Sequence, residues 1–119
     1  MDNASLSAVL RQVRKLAVAP GIEGRSDAEL LEAFLSQQDA AAFAAVVQRH
    51  GPMVLNVCHR VLHQREDAED AFQATFLILA RKAASVRKRP ALASWLHGVA
   101  SRMALSIKRA AARRRSHEG

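Results

Sequence analysis

At 119 residues, half of them hydrophobic, the chain is long enough for one compact domain with a short extension and too apolar to be fully disordered. Its net charge of +7 favours an anionic partner, and a single cysteine excludes an internal disulfide and fits a reducing cytoplasm. No run approaches the ~20 apolar residues of a membrane span, and Arg11, Arg14 and Lys15 inside the first apolar run argue against a secretory signal peptide.

Residues 5–17 predict an amphipathic leader helix, with Leu6, Val9, Leu10, Val13 and Leu16 at helical spacing. Pro20, Gly21 and Gly24 break it, so residues 1–25 read as a leader and linker. Ser26 and Glu29 then form a capping-box pattern, in which each side chain satisfies a backbone donor of the other. The helix that follows carries Leu30, Leu31, Phe34 and Leu35, and Asp39 is placed to start the next, through Ala42, Phe43, Val46 and Val47. Gly51-Pro52 leaves two outcomes open. Either Pro52 takes the first turn of a new helix reaching about Leu62, or the pair only kinks one long helix. Cys58 lies in the apolar run Val54, Leu55, Val57, Val61, Leu62 and is expected to be a buried small hydrophobe rather than a nucleophile.

Residues 66–85 predict the clearest helix, on which Ala68, Phe72, Thr75, Phe76, Leu79 and Ala83 recur at spacings of three and four. Glu66, Asp67 and Asp70 in its first turns, and Arg81 and Lys82 in its last, complement the helix dipole. With Glu69, however, the acids outnumber what a helix start requires. Val86 to Ala91 read as a basic loop ended by Pro90. A final helix is expected from Leu92 to about Arg113, burying Trp95, Leu96, Val99, Ala100, Met103 and Ile107, with residues 116–119 as a tail. Strand alternation and internal repeats are absent. The expected fold class is therefore all-α, a compact helical bundle over residues 26–115 behind the N-terminal leader helix.

Chemistry has little foothold. The five histidines, His50, His59, His63, His97 and His117, do not make a metal set with the lone cysteine. His59 and His63 share a helix face without an obvious third ligand, and a phosphate loop or nucleophile motif is lacking. No catalytic residue, metal site or cofactor is expected, and the chain does not read as an enzyme. Charge is the stronger signal. Between Arg81 and Arg115 stand eleven Lys or Arg residues and no acid, directly after the cluster Glu66, Asp67, Glu69, Asp70. A basic surface that neutralises phosphates and an acidic surface that avoids them suit an adaptor between nucleic acid and a protein.

Asp67-Ala68-Glu69-Asp70 followed by Gln73, Thr75, Phe76 and Leu77 resembles region 2.2 of sigma-70-type RNA polymerase sigma factors. Ala93-Ser94-Trp95-Leu96 with Val99-Ala100 is similar to regions 2.3 to 2.4 of the extracytoplasmic function (ECF) subgroup. Asp27 to Leu62, with Asp39, Phe43, Val47 and His50, resembles regions 1.2 to 2.1. The resemblance spans about residues 26–115 in order. It implies a helical domain whose region 2.2 helix docks on the clamp helices of the polymerase largest subunit. The docking residues would be Asp67, Glu69, Asp70 and Gln73, supported from the core by Phe72 and Phe76. It further implies that the loop from Arg87 to Ala93 captures an unstacked base of the −10 promoter element. Contacts to DNA would come from Arg87, Lys88, Arg89, Ser94, His97, Ser101, Arg102, Lys108 and Arg109. An anti-sigma protein is a further implied partner; a membrane is not, and the cytoplasm is the expected location.

Three departures qualify the likeness. Arg102 and Ser106 stand where the ECF pattern commonly has Asn and Asp, and Ala74 stands where an acid is frequent. A helix-turn-helix of the region 4 kind, which reads the −35 element, is not found in these residues. Two alternatives follow from the residues: a decoy that occupies polymerase or an anti-sigma protein without starting transcription, and a helical protein that binds nucleic acid without regard to sequence.

Overall fold

Capping chemistry sets the helix starts in the computed structural model, which describes residues 24–118. Helix α1 runs Asp27–Gln37, α2 Ala40–Val61, α3 Arg65–Val86 and α4 Leu92–Glu118, and no strand occurs among the described residues. The leader helix expected at residues 5–17 lies outside the described residues. At α1, the Ser26 hydroxyl oxygen accepts from the Glu29 amide at 3.1 Å, while the Ser26 amide donates to the Glu29 carboxylate at 3.1 Å. These bonds satisfy two amides that the helix start would otherwise leave unpaired. They also hold the Glu29 carboxyl below its ordinary pKa, because hydrogen bonds from Ser26 favour its charged form. Asp39 caps α2 by accepting from the Ala42 amide at 3.2 Å.

Gly51-Pro52 sits within one continuous helix, so the second of the two outcomes is the one observed. The two residues differ in exposure. Gly51 is buried, and a Cβ there would meet the Phe72 ring at 3.5 Å, whereas Pro52 is exposed and carries no amide hydrogen. A proline inside a helix costs about 3 kcal/mol. Apolar side chains on both sides of it, Val46, Val47, Val54, Val57 and Cys58, are buried in a single core. Each large one contributes roughly 1.5–3 kcal/mol on burial, so keeping the helix whole wins over ending it.

That core is centred on α2, which packs against the other three helices, while α3 also touches α1 and α4. Phe43, Phe72, Phe76, Leu30, Leu31, Leu79 and Leu96 fill it. The expected α3 stripe is buried at every position, including Thr75, whose hydroxyl donates to the Ala71 carbonyl at 2.7 Å and so leaves no buried polar atom unpaired. Cys58 is fully buried and desolvation pushes its thiol up to about 11, as befits a packing residue. On α4, Leu96, Val99, Ala100 and Ala104 are buried, and Trp95, Met103 and Ile107 only half so.

Two boundaries differ from expectation. α3 continues to Val86, so Arg81 and Lys82 lie before its last turn. α4 runs past Arg113 to Glu118. Alanine and arginine are strong helix formers, and Arg115 and His117 stand at the end of the dipole that favours positive charge, so nothing local stops the helix at 113.

Candidate docking and nucleic-acid surfaces

The burial of Ala68, Ala71, Phe72, Thr75, Phe76 and Leu79 fixes the rotation of α3 and therefore what it shows to solvent. At about 100° per residue, Asp70 and Arg81 lie along the line that points directly away from the core and both are exposed, whereas Gln73 sits about 60° to one side and is half-buried. Asp67 and Glu69 lie on opposite flanks of that line, and both are half-buried. The four expected docking residues thus form a centre, Asp70, with Asp67 on one flank and Gln73 and Glu69 on the other. Glu69 is drawn to Arg65 at 3.3 Å, one turn back and exposed. Among the described residues, neither Asp67 nor Asp70 takes part in an ion pair. Beneath this face, the Phe72 and Phe76 rings meet at 5.0 Å between centroids. The helix start itself lacks a side-chain cap at Gln64.

The basic residues emerge at the other end of α3. Asp70 and Arg87 are separated by about 25 Å along the helix axis. That exceeds the ~10 Å screening length at moderate salt, so the two patches do not cancel each other. The loop is tied down by backbone bonds from the Arg87 amide to the Ala83 carbonyl at 3.0 Å and from the Arg89 amide to the Val86 carbonyl at 2.9 Å. Lys88 and Arg89 are exposed. Arg87 is not equivalent to them, because its half-buried guanidinium is paired with Glu32 on α1.

On α4, Ser94, His97, Ser101 and Lys108 follow one line at spacings of three, four and seven, and Arg102 and Arg109 follow the neighbouring line. All are exposed except half-buried Ser101. Where loop meets helix, Arg89, Pro90, Ala91, Ser94 and Trp95 surround an open pocket of about 360 Å³. One wall is an aromatic ring, another an exposed guanidinium. Such a site offers an unstacked base a stacking surface, a cation and a hydroxyl together. Half-buried, Trp95 serves the core with one part and the pocket with another. The structure therefore brings Lys88, Arg89, Ser94, His97, Ser101, Arg102, Lys108 and Arg109 onto the loop and one side of α4, and holds Arg87 apart.

Three features were missed in the sequence. Asp27 accepts from Arg49 at 2.9 Å and meets the His50 ring nitrogen at 2.9 Å, and Arg49 also donates to the Arg25 carbonyl at 2.8 Å, joining the start of α1 to the middle of α2. Glu32 holds Arg87. Leu105, within the basic face of α4, is exposed. The first two link positions more than twenty residues apart, which no local spacing announces. Leu105 was detectable as an apolar residue off the buried stripe.

Among the described residues no helix is long and apolar enough to cross a membrane, and no three His, Cys, Asp or Glu residues converge as metal ligands. A family model described as sigma-70 region 2 matches residues 46–114, more than half of the chain. The match takes in most of α2, all of α3, the basic loop and α4 as far as Arg114; α1 precedes it. No curated protein and no solved structure matches the chain.

Proposed function

The chain belongs to the sigma-70 region 2 family, and from that premise we propose that it docks on core RNA polymerase through the outer face of α3 and engages −10 promoter DNA through the loop and α4. Sigma-70 region 2 is a transcription-initiation domain, not an enzyme family. The proposal assigns residues 26–115 to this domain and places it in the ECF subgroup, on the strength of Ser94-Trp95-Leu96 with Val99-Ala100. The polymerase contact is assigned to the largest-subunit clamp helices, with Asp70 at its centre, Asp67 on one flank and Gln73 and Glu69 on the other. An anti-sigma protein competing for the same face is consistent with this assignment.

The observation that carries the reading is the separation of charge along one helix. An acidic face at the start of α3 and a basic loop at its end, about 25 Å apart, give the domain two independent contacts. Promoter opening is favoured when a protein binds a displaced base and its strand better than the duplex. The pocket beside Trp95, with Arg89 on its wall, supplies that preference.

The test is retention of the chain on core RNA polymerase. The Asp70→Lys, Gln73→Ala double variant is expected to lower affinity about tenfold or more, because it sets a cation where an acid is proposed to face the clamp. Failure of the wild type to bind, or indifference to the double change, would sink the polymerase contact. Run-off transcription at background despite polymerase binding would favour the decoy alternative.

A further inference from the structure

We propose that Leu105 reads thymine, by packing its side chain against the C5-methyl group of a thymine in the DNA bound along α4. The inference rests on the DNA contact proposed above and names what that contact recognises. Among the described residues Leu105 is the large hydrophobic side chain left exposed, at 40 % of its full accessibility. The other large apolar residues of α4 follow the opposite rule: Leu92, Leu96 and Val99 are buried, and Trp95, Met103 and Ile107 pack partly against the core.

Its neighbours make the position informative. Residues three and four apart on a helix lie side by side. Leu105 is therefore bordered by Ser101 and Arg102 on the turn before and by Lys108 and Arg109 on the turn after. Lone exposed leucines are common and ordinarily need no explanation. This one stands inside a ring of three cations and a hydroxyl on a face with no acid between Arg81 and Arg115. Cations at those positions bind phosphate and fix register without reading sequence. An apolar group at their centre gains nothing from a phosphate or a sugar hydroxyl. The thymine methyl is the apolar group that base edges present in the major groove, and apolar side chains are its natural partners.

Location agrees. Leu105 lies ten residues after Trp95, about 15 Å along the axis. It is therefore separate from the pocket beside Trp95 and faces a different part of the same nucleic acid. The paired form of thymine is the expected source, because an α-helix about 10–12 Å across enters the ~12 Å major groove, where the thymine methyl is displayed.

The experiment measures binding of the full chain, alone and with core polymerase, to paired oligonucleotides differing only in thymine or uracil, which lacks the methyl. Duplex and single-stranded versions form separate arms. Wild type is expected to prefer the thymine duplex about threefold, the worth of roughly one partly buried methyl. Leu105→Ala should bring that ratio close to one, and Leu105→Met should retain most of it. Because the side chain is exposed, both variants should keep the wild-type helical circular dichroism. Preference confined to the single-stranded arm would support Leu105 and assign it an unpaired thymine. Absence of any preference in wild type, or its survival in Leu105→Ala, would overturn the inference alone, provided Lys108→Ala still weakens binding. If the chain bound no DNA, or Lys108→Ala changed nothing, the DNA contact itself would fall and this inference with it.

Discussion

Helices α3 and α4 bury similar stripes in one core, yet α3 begins with acids on its outer face, while no acid occurs in α4 before its last residue and Lys or Arg recurs along it. Their inner faces are interchangeable in kind: Phe72, Thr75, Phe76 and Leu79 on one, Leu96, Val99, Ala100 and Ala104 on the other. Folding requires that inner pattern and is nearly indifferent to the sign of the exposed charges. The difference between the outer faces is therefore where the two proposed contacts would be written. Breaking the shared core should abolish both contacts, whereas changing one outer face should spare the other.

The largest effect is expected from Phe72→Ala. Its ring is 2 % exposed, packs on Phe76 at 5.0 Å and lies under Gly51 of α2. Truncating a buried phenylalanine costs about 3–5 kcal/mol, which is a large share of the stability of a small domain. Urea denaturation should show the loss, and polymerase and DNA binding should fall together. If only polymerase binding fell while stability held, Phe72 would belong to the docking face and not to its support.

A smaller and one-sided effect is expected from Lys108→Ala with Arg109→Ala. Both side chains are exposed, so the unfolding midpoint should stay within experimental error of wild type. DNA affinity at low salt should drop by about tenfold, and the slope of log affinity against log salt should shrink by about two, one for each phosphate no longer neutralised. Polymerase affinity in the absence of DNA should not move. A parallel fall in polymerase binding would mean that the acidic and basic faces are not independent, and the charge separation along α3 would lose its meaning.

How far the sequence anticipated this depends on the range of the interaction. The capping box at Ser26 and Glu29, the Asp39 cap and the α3 stripe were legible because each is fixed by residues within four positions of one another. Gly51-Pro52 was legible only as a choice, since local chemistry allows either helix end or helix interior; the Phe72 ring, twenty-one residues on, is what makes the inward glycine useful. The far end of α4 extends past its expected limit because an arginine run looks like a solvated tail by its charge, although arginine favours helix. At the candidate surfaces, residue types were readable and their grouping was not. Arg87 has the same composition and neighbourhood as Arg89, but Glu32, fifty-five positions earlier, holds only the former.

The smallest predicted effect separates acids that serve folding from acids left for a partner. Glu29 is of the first kind: its carboxylate accepts from the Ser26 amide, and the Ser26 hydroxyl completes the box. Those bonds lower its pKa from an ordinary value of 4.5. A carboxyl whose folded pKa is lowered contributes stability above its unfolded pKa and loses it as pH falls through the folded value. Its share is thus fully present at neutral pH and disappears below about pH 4.5. Glutamine can also occupy this position of a capping box and does not titrate. Glu29→Gln should therefore have nearly wild-type stability at pH 7 and a shallower decline in acid than wild type, seen as converging thermal midpoints or a crossing as pH falls. Every other residue is the same in both proteins, so the comparison isolates Glu29. Acid limbs that run parallel would mean that the capping box adds nothing charge-dependent. The excess of acid at the start of α3, where Gln64 provides no cap, would then be harder to distinguish from ordinary helix-end charge.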